Sequence, residues 1–120
     1  MPRNSPLDQS LPPAERIRRR AEFVRIQSIG RRVQLPHMVA LYVRSDTQGA
    51  ARLGITVSRR VGKAVQRNRV KRLLREAFRL QKQRFPRGLD LVLIARPAAA
   101  GATFHQLFQE MGMICQRVRP

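Results

Sequence analysis

The residues of this 120-residue sequence that could do chemistry are concentrated over residues 59–79, where nine basic side chains accompany a single acid, Glu76. Lysine and arginine at this density bind phosphate groups, and the planar guanidinium of arginine offers several donors at once. Acids normally alternate with cations along a solvated helix, because like charges three or four residues apart repel each other. The segment therefore predicts a surface for a polyanion, with nucleic acid as the first candidate.

The acids and histidines of the chain do not form a catalytic or metal-binding set. Seven acids and two histidines, His37 and His105, are scattered without ligand spacing, a carboxylate pair or a Ser-His-Asp arrangement. The single cysteine, Cys115, excludes an internal disulfide, and its apolar neighbours Met113 and Ile114 predict a buried packing residue. We therefore expect no catalytic residue, no metal ligand and no cofactor bound directly by the protein.

The overall composition places this charge on a folded domain. The net charge is +18, with 22 arginines and three lysines, while 42% of the residues are hydrophobic. That apolar fraction is enough for one domain with a modest core. The chain has no apolar run near the ~20 residues of a membrane span and no N-terminal signal segment, so we expect a cytoplasmic protein.

Two regions of the chain differ in composition. Residues 1–15 contain four prolines among polar residues and predict a flexible extension, whereas residues 16–120 predict a single α/β domain. Within this domain the pattern predicts a helix over residues 19–29, ended by the glycine that follows. Two strands over residues 37–44 and 52–58 flank a polar turn and predict a β-hairpin.

The basic segment itself predicts a long helix over about residues 66–83. Its apolar side chains recur at i, i+3, i+4, i+7 and i+8 from Val70, which marks one helical face. A nearly all-apolar strand over residues 90–95 follows, and Thr103 with Gln106 forms a capping-box pair that opens a last helix. This order predicts an α+β fold in which one sheet packs against helices.

The basic side chains of the long helix lie roughly opposite its apolar face. At 100° per residue, one side of the helix presents Asn68, Lys71, Arg72, Arg75 and Arg79. The preceding loop adds three cations, Arg59, Arg60 and Lys63, beside the helix N-terminus, where outward-pointing amides suit phosphate. The loop and the helix together are the predicted polyanion surface.

Residues 54–79 closely resemble the protein subunit of bacterial ribonuclease P. The signature of that family is a strand ending in a basic Val-Ser segment, then Gly-Lys-Ala-Val, then an Arg-Asn-Arg ("RNR") helix. The residues that match in order and spacing are Val57, Ser58, Gly62, Lys63, Ala64, Val65, Arg67, Asn68, Arg69, Lys71, Arg72, Arg75, Glu76 and Phe78. Phe23 and Gly30 resemble the family's first helix, and residues 90–97 its Asp-hydrophobic-Ala-Arg-Pro strand. The resemblance covers about residues 17–118.

The resemblance implies a specific fold. It is a two-layer α/β sandwich of the ribosomal protein S5 domain 2-like kind, with element order α-β-β-β-α-β-α and a four-stranded sheet. The family has a left-handed β-α-β crossover, whereas the general rule for parallel strands predicts a right-handed one. The resemblance also implies a short strand near residues 31–35, which the residue pattern alone does not predict.

The resemblance further implies a function. The protein would be the non-catalytic subunit of an endoribonuclease whose RNA subunit, with bound Mg²⁺, removes the 5′ leader of precursor tRNA. The implied partners are ribonuclease P RNA and precursor tRNA, with no membrane and no small-molecule substrate. The protein would assist cleavage at low magnesium and be inactive alone. The residues implied to face the catalytic RNA are Arg59, Arg60, Lys63, Arg67, Asn68, Arg69, Lys71, Arg72, Arg75 and Arg79.

A cleft between the first helix and the sheet is implied to hold the leader. The candidates to line it are Arg19, Arg20, Phe23, Gln27, Met38 and Tyr42. Family members often carry a second aromatic residue where this chain has Gln27, so we expect the leader to be bound mainly through its phosphates. The pattern fits Phe23 equally well as a stacking platform and as an ordinary core residue.

Two other function classes fit the composition. A ribosomal or other structural RNA-binding protein would have the same charge, and only the Gly-Lys-Ala-Val to Arg-Asn-Arg segment argues against it. The second of these classes is a basic domain that binds a membrane surface or DNA. The apolar face of the long helix belongs to a sheet-forming chain, which favours burial over lipid contact. No short-turn helix pair of the kind that reads DNA is evident.

Overall fold

The computed structural model describes residues 11–45 and 48–119. Within these ranges the chain forms three α-helices and four strands. In chain order they are α1 (Arg20–Ile29), β1 (Arg31–Gln34), β2 (Met38–Arg44), β3 (Arg52–Thr56), α2 (Ala64–Gln81), β4 (Leu89–Ala95) and α3 (Phe104–Arg117). The α+β class, the element order and the short strand implied after α1 are confirmed.

The sheet order is β1-β2-β4-β3, so the predicted hairpin of residues 37–44 with residues 52–58 is wrong. β4 lies between these two strands, with Val92 opposite Leu41 in antiparallel register and opposite Gly54 in parallel register. The reason is that β4 is nearly all apolar. Its side chains are buried on both faces only in the middle of the sheet, where strands flank it and helices cover it. The antiparallel hairpin partner of β2 is β1, and α2 connects the parallel strands β3 and β4.

Helices cover both faces of the sheet, but to different extents. α2 and α3 pack on one face and form the main core, in which Phe78 and Met111 are fully buried. On the other face Ile26 of α1 packs against Leu41 and Val92. Because α1 has only ten residues, it covers part of this second face and leaves the rest accessible.

The ends of α1 and α3 follow from local chemistry. α1 ends at Gly30 as predicted, although Gly30 has φ −71° and is not a left-handed cap. Glycine is required there because a Cβ would overlap the carbonyl oxygen of Ile26. At α3 the predicted capping box is confirmed, since the Gln106 N–H donates to Thr103 Oγ1 at 3.1 Å and the Thr103 N–H donates to Gln106 Oε1 at 2.9 Å.

The packed domain includes residues that the sequence assigns to the flexible extension. Leu11 is only 2% exposed and belongs to the main core. Its carbonyl accepts a hydrogen bond from Arg16 Nε at 2.7 Å, and Glu15 forms an ion pair with Lys82 at 3.0 Å. An apolar side chain and an acid thus anchor residues 11–15, whereas residues 1–10 of the predicted extension lie outside the described residues.

Candidate nucleic-acid interface

The basic side chains of α2 face solvent because the opposite side of the helix is buried. Val70, Leu74 and Phe78 are fully buried against the sheet and α3. Of the predicted RNA-facing residues of α2, the exposed ones are Asn68, Arg69, Arg72 and Arg75, and the partly buried ones are Arg67, Lys71 and Arg79. The structure therefore brings these predicted residues together along one helix.

Two of these cations are engaged within the protein. Arg79 donates from Nε and Nη2 to the carboxylate of Glu76 at 3.0 and 2.7 Å, and this pairing raises the pKa of Arg79. Arg69 Nη2 donates to the carbonyl of Ala102 at 3.0 Å, which ties α2 to the segment before α3. Arg79 thus has its charge compensated by Glu76, while Arg72 stands exposed to solvent.

Arg67 has an unusual position at the start of α2. Its Nε is buried and has no hydrogen-bond partner among the described residues. Leaving a buried donor unpaired costs about 1–3 kcal/mol. An acceptor oxygen from a ligand that reached this N–H would remove that cost.

The loop between β3 and α2 holds three more predicted cations at the surface. Val61 is 5% exposed and anchors the loop in the main core. Two successive turns surround it, in which the Val61 N–H donates to the Ser58 carbonyl at 3.1 Å and the Gly62 N–H to the Arg59 carbonyl at 3.2 Å. The side chains left exposed are those of Arg59, Arg60 and Lys63. We call these loop cations, with the α2 residues above, the α2 surface.

Replacing Gly62 with alanine should lower the stability of the domain. Gly62 has φ +152°, and a Cβ would overlap the side chain of Gln66, whose Oε1 accepts from the Lys63 N–H at 2.9 Å. The strained backbone and the lost bond should together cost about 1–3 kcal/mol of unfolding free energy, measured in urea. Gly49→Ala is the matched control, because a Cβ there meets nothing within 4 Å. Equal effects of the two substitutions would contradict this account of Gly62.

The second face of the sheet carries an open row beside α1. Gln34, Val39, Ile94 and Thr56 are register partners across all four strands. They lie on the same face as Leu41 and are partly buried or exposed, since α1 covers the neighbouring row instead. We call this row, with the adjacent side of α1, the α1 cleft.

Met38 and Tyr42, which the sequence assigns to the leader cleft, lie on the opposite face of the sheet. Met38 is fully buried in the main core, and Tyr42 packs against that core. Successive residues of a strand point to opposite faces, so alternate residues of β2 face α2 and α3. Val39 lies on the α1 face of the sheet and was not among the predicted cleft residues. Alternation along β2 places Val39 on the same face as Leu41, but only tertiary contacts decide that α1 covers this face.

The remaining predicted cleft residues lie on or beside α1. Arg20, Phe23 and Gln27 share one side of α1 because they are spaced i, i+3 and i+7. Phe23 is partly buried and covers Gly54, where a Cβ would lie 2.7 Å from its Cζ. Arg19 precedes the helix and is exposed, as are Arg20 and Gln27. Phe23 therefore packs against the sheet and keeps a part of its side chain exposed.

A groove of about 160 Å³ joins the α1 cleft to the α2 surface at the edge strand β3. Phe23 and Gly54 line it, together with four cations, Arg16, Arg18, Lys71 and Arg75. Burial, and secondarily the charge of Arg16, lowers the pKa of Arg75. Arg16 and Arg18 were not among the predicted site residues, although the basic cluster that they begin is visible in the sequence. We call this feature the joining groove.

Each carboxylate of the described residues is paired with a side chain that does not line the joining groove. The pairs are Glu15 with Lys82, Glu22 and Asp90 with Arg52, Glu76 with Arg79, and Glu110 with His37. Among the residues that line the groove there is no acid. The groove therefore carries the positive charge of Arg18, Lys71 and Arg75.

Residues 11–45 and 48–119 contain neither a metal-binding cluster nor a helix that could cross a membrane. No group of three or more histidine, cysteine or acidic side chains is arranged to hold a metal ion there. None of the helices in these ranges has the length and apolar character needed to cross a membrane. Burial raises the pKa of the Cys115 thiol, in agreement with its predicted role as a packing residue.

Comparisons with known proteins all point to one family. A family model described as Ribonuclease P matches residues 11–119. The ribonuclease P protein component of Gluconacetobacter diazotrophicus is 43% identical over 82% of this chain and 85% of its own length. That of Desulforapulum autotrophicum is 37% identical over 91% of this chain and 92% of its own.

Solved structures agree with the sequence comparisons. The RNase P protein from Thermotoga maritima is 33% identical, with a TM-score of 0.78 over 88% of this chain and 99% of that one. The RNase P protein of Staphylococcus aureus is 31% identical, also with a TM-score of 0.78, over 88% and 95% of the two chains. The likeness therefore covers most of the chain.

Proposed function

Because this chain belongs to the ribonuclease P protein family, we propose that it binds the catalytic RNA on the α2 surface and the 5′ leader of precursor tRNA in the α1 cleft. The observation that carries this proposal is the joining groove, where Arg18, Lys71 and Arg75 lie between the two surfaces and none of the described lining residues is an acid. A protein that holds two RNA strands close together needs positive charge at their junction, because their phosphates repel each other.

The α2 surface suits a structured RNA. Its exposed side chains are cations and one amide, which contact phosphate and ribose oxygens and recognise shape rather than base sequence. The unpaired Nε of Arg67 adds a donor that an RNA oxygen would satisfy. Because Arg79 is already paired with Glu76, we expect Arg79 to contribute less to RNA binding than Arg72.

The α1 cleft suits an extended single strand. Its floor crosses four strands and is therefore about 14 Å long, given a spacing of about 4.8 Å between neighbouring strands. Arg20 and Gln27 offer polar groups along one wall, and Phe23 offers a partly exposed ring on which a base can stack. With a single aromatic in the cleft, phosphate contacts carry most of the affinity.

The protein assists the reaction electrostatically rather than through a catalytic residue. The RNA subunit supplies the chemistry with its bound Mg²⁺, in the cytoplasm, and the protein lowers the repulsion between the two RNAs. Without the protein, additional Mg²⁺ is needed to screen this repulsion. With the protein bound, a lower Mg²⁺ concentration therefore supports the same cleavage rate. The protein alone is inactive in this proposal.

The test is cleavage of precursor tRNA by a bacterial ribonuclease P RNA, with and without this protein, across a Mg²⁺ titration. We expect the protein to lower the Mg²⁺ concentration at half-maximal rate, and the protein without the RNA to cleave nothing. Binding to precursor tRNA and to mature tRNA should be compared in parallel, because only the precursor carries a leader. RNA binding without any change in Mg²⁺ requirement would instead support a structural RNA-binding protein.

A further inference from the structure

We propose that the protein has a third RNA-binding site, a basic cavity around Tyr42 that takes one unpaired nucleotide of a single-stranded RNA segment. This goes beyond the proposed function, because neither the α2 surface nor the α1 cleft includes the cavity. It also gives a role to Tyr42, which does not reach the cleft to which the sequence assigns it.

The cavity lies where α1 ends, β1 begins and β2 ends. Its volume is about 450 Å³, which is within the range of sites for small organic ligands. Its apolar part comes from Ile29, Tyr42, Val43 and Val118, of which Ile29 is 60% exposed. Tyr42 is the register partner of Arg31 on the neighbouring strand, so a guanidinium and an aromatic ring stand side by side at the sheet edge.

Four arginines line the cavity and come from three segments of the chain. Arg31 is on β1, Arg44 on β2, Arg117 in the last turn of α3 and Arg119 just beyond that helix. Cations at the end of α3 stabilise its C-terminus, which explains two of the four. That argument does not explain Arg31 and Arg44, which the sheet brings to the same place.

This convergence of like charges is unfavourable unless an anion is bound. The carboxylates of the described residues are held by other partners, and none lines the cavity. The phosphates of a nucleic acid would supply negative charge to this group of arginines. The cavity therefore has the electrostatic character of a phosphate site.

The apolar part of the cavity distinguishes a nucleotide from phosphate alone. An aromatic ring within a group of arginines offers a stacking surface for a base while the guanidiniums hold the flanking phosphates. An anionic membrane is less well matched, because among the large apolar side chains of the cavity only Ile29 is mostly exposed. A base that is paired in a duplex cannot reach Tyr42, so the ligand is single-stranded.

The cavity does not share a lining residue with the joining groove, although its Val43 packs on the α1 side of the sheet. Tyr42 faces the side of the sheet that packs on α2 and α3, whereas Phe23 faces the opposite side. The cavity lies beside the last residue of α1, and the joining groove lies beside residues 16–18, ahead of its first turn. An RNA segment bound there is different from the one in the α1 cleft.

The experiment uses the fact that the chain has one tyrosine and no tryptophan. Replacing tyrosine with 3-fluorotyrosine in the full chain gives a single ¹⁹F resonance that reports on the cavity. A single-stranded RNA pentamer should shift this resonance with saturation. Arg31→Gln with Arg117→Gln should weaken that response at least tenfold, whereas Arg84→Gln with Arg87→Gln, which removes the same charge elsewhere, should not.

Three outcomes would overturn the site. The first is an unmoved resonance while fluorescence anisotropy shows the labelled pentamer bound. The second is equal affinity for an abasic pentamer, which would leave a phosphate site without base recognition. The third is a shift with phosphatidylglycerol vesicles and none with RNA. The cleavage assay above does not depend on this resonance, so the two proposals can fail separately.

Discussion

The Arg60→Gln/Arg72→Gln double variant should bind ribonuclease P RNA with a much weaker dependence on salt than the unmodified protein. Both side chains are exposed on the α2 surface. Each phosphate contact contributes close to one unit to the slope of log affinity against log salt, so two lost contacts remove roughly 1.8 units. When the salt is raised from about 50 to 200 mM, the fold-loss of affinity should therefore be about 12 times smaller for the variant than for the unmodified protein.

The control for this measurement is Arg84→Gln with Arg87→Gln. These two cations follow the C-terminal end of α2, where Arg84 donates to Gln81 and Arg87 to the carbonyl of Gln48. Both double variants lower the net charge by two, so a difference between them reports on position rather than on total charge. Equal slopes for the two variants would mean that RNA follows the overall field of the protein and not the α2 surface.

Phe78→Ala should reduce the unfolding free energy by about 3–5 kcal/mol, because it removes a large side chain from a closely packed core. Phe78 is fully buried beneath α2, and its ring centroid lies 5.0 Å from that of Phe85. For a domain of this size the loss corresponds to roughly 10 °C or more in Tm. Urea and thermal unfolding of the free protein measure it directly.

Leu80→Ala is the matched substitution on the same helix. Leu80 is 52% exposed, so truncating it should change the unfolding free energy by no more than about 0.5 kcal/mol. A loss below 1 kcal/mol for Phe78→Ala would contradict the packing of α2 on the sheet. It would also remove the reason why the cations of α2 face solvent.

Much of the α2 surface could be predicted because helical periodicity is local. The spacing from Val70 to Phe78 assigns the buried face, and the cations between these residues must then lie on the other side. The capping box at Thr103 was predictable for the same reason, since both partners lie within one turn. The family itself was identified from one contiguous segment, and comparison with known proteins confirms it.

The errors concern contacts between residues far apart in the chain. The predicted hairpin failed because β4, about 35 residues after β3, inserts between β2 and β3. The assignment of Met38 and Tyr42 to the cleft failed because strand alternation gives two faces but not which one α1 covers. The engagement of Arg69 by Ala102 likewise depends on a contact across 33 positions.

The sequence by itself predicted a polyanion-binding surface, placed most of the cations of that surface on one helix, and identified the family that the chain resembles. These properties depend on charge and on periodicities within a few turns, which neighbouring residues specify. Only the tertiary structure decided where the charges meet. The joining groove combines residues 16–18 with Lys71 and Arg75, and the cavity around Tyr42 combines residues 29–44 with residues 117–119. Such sites arise from the order of strands in the sheet, which long-range packing selects.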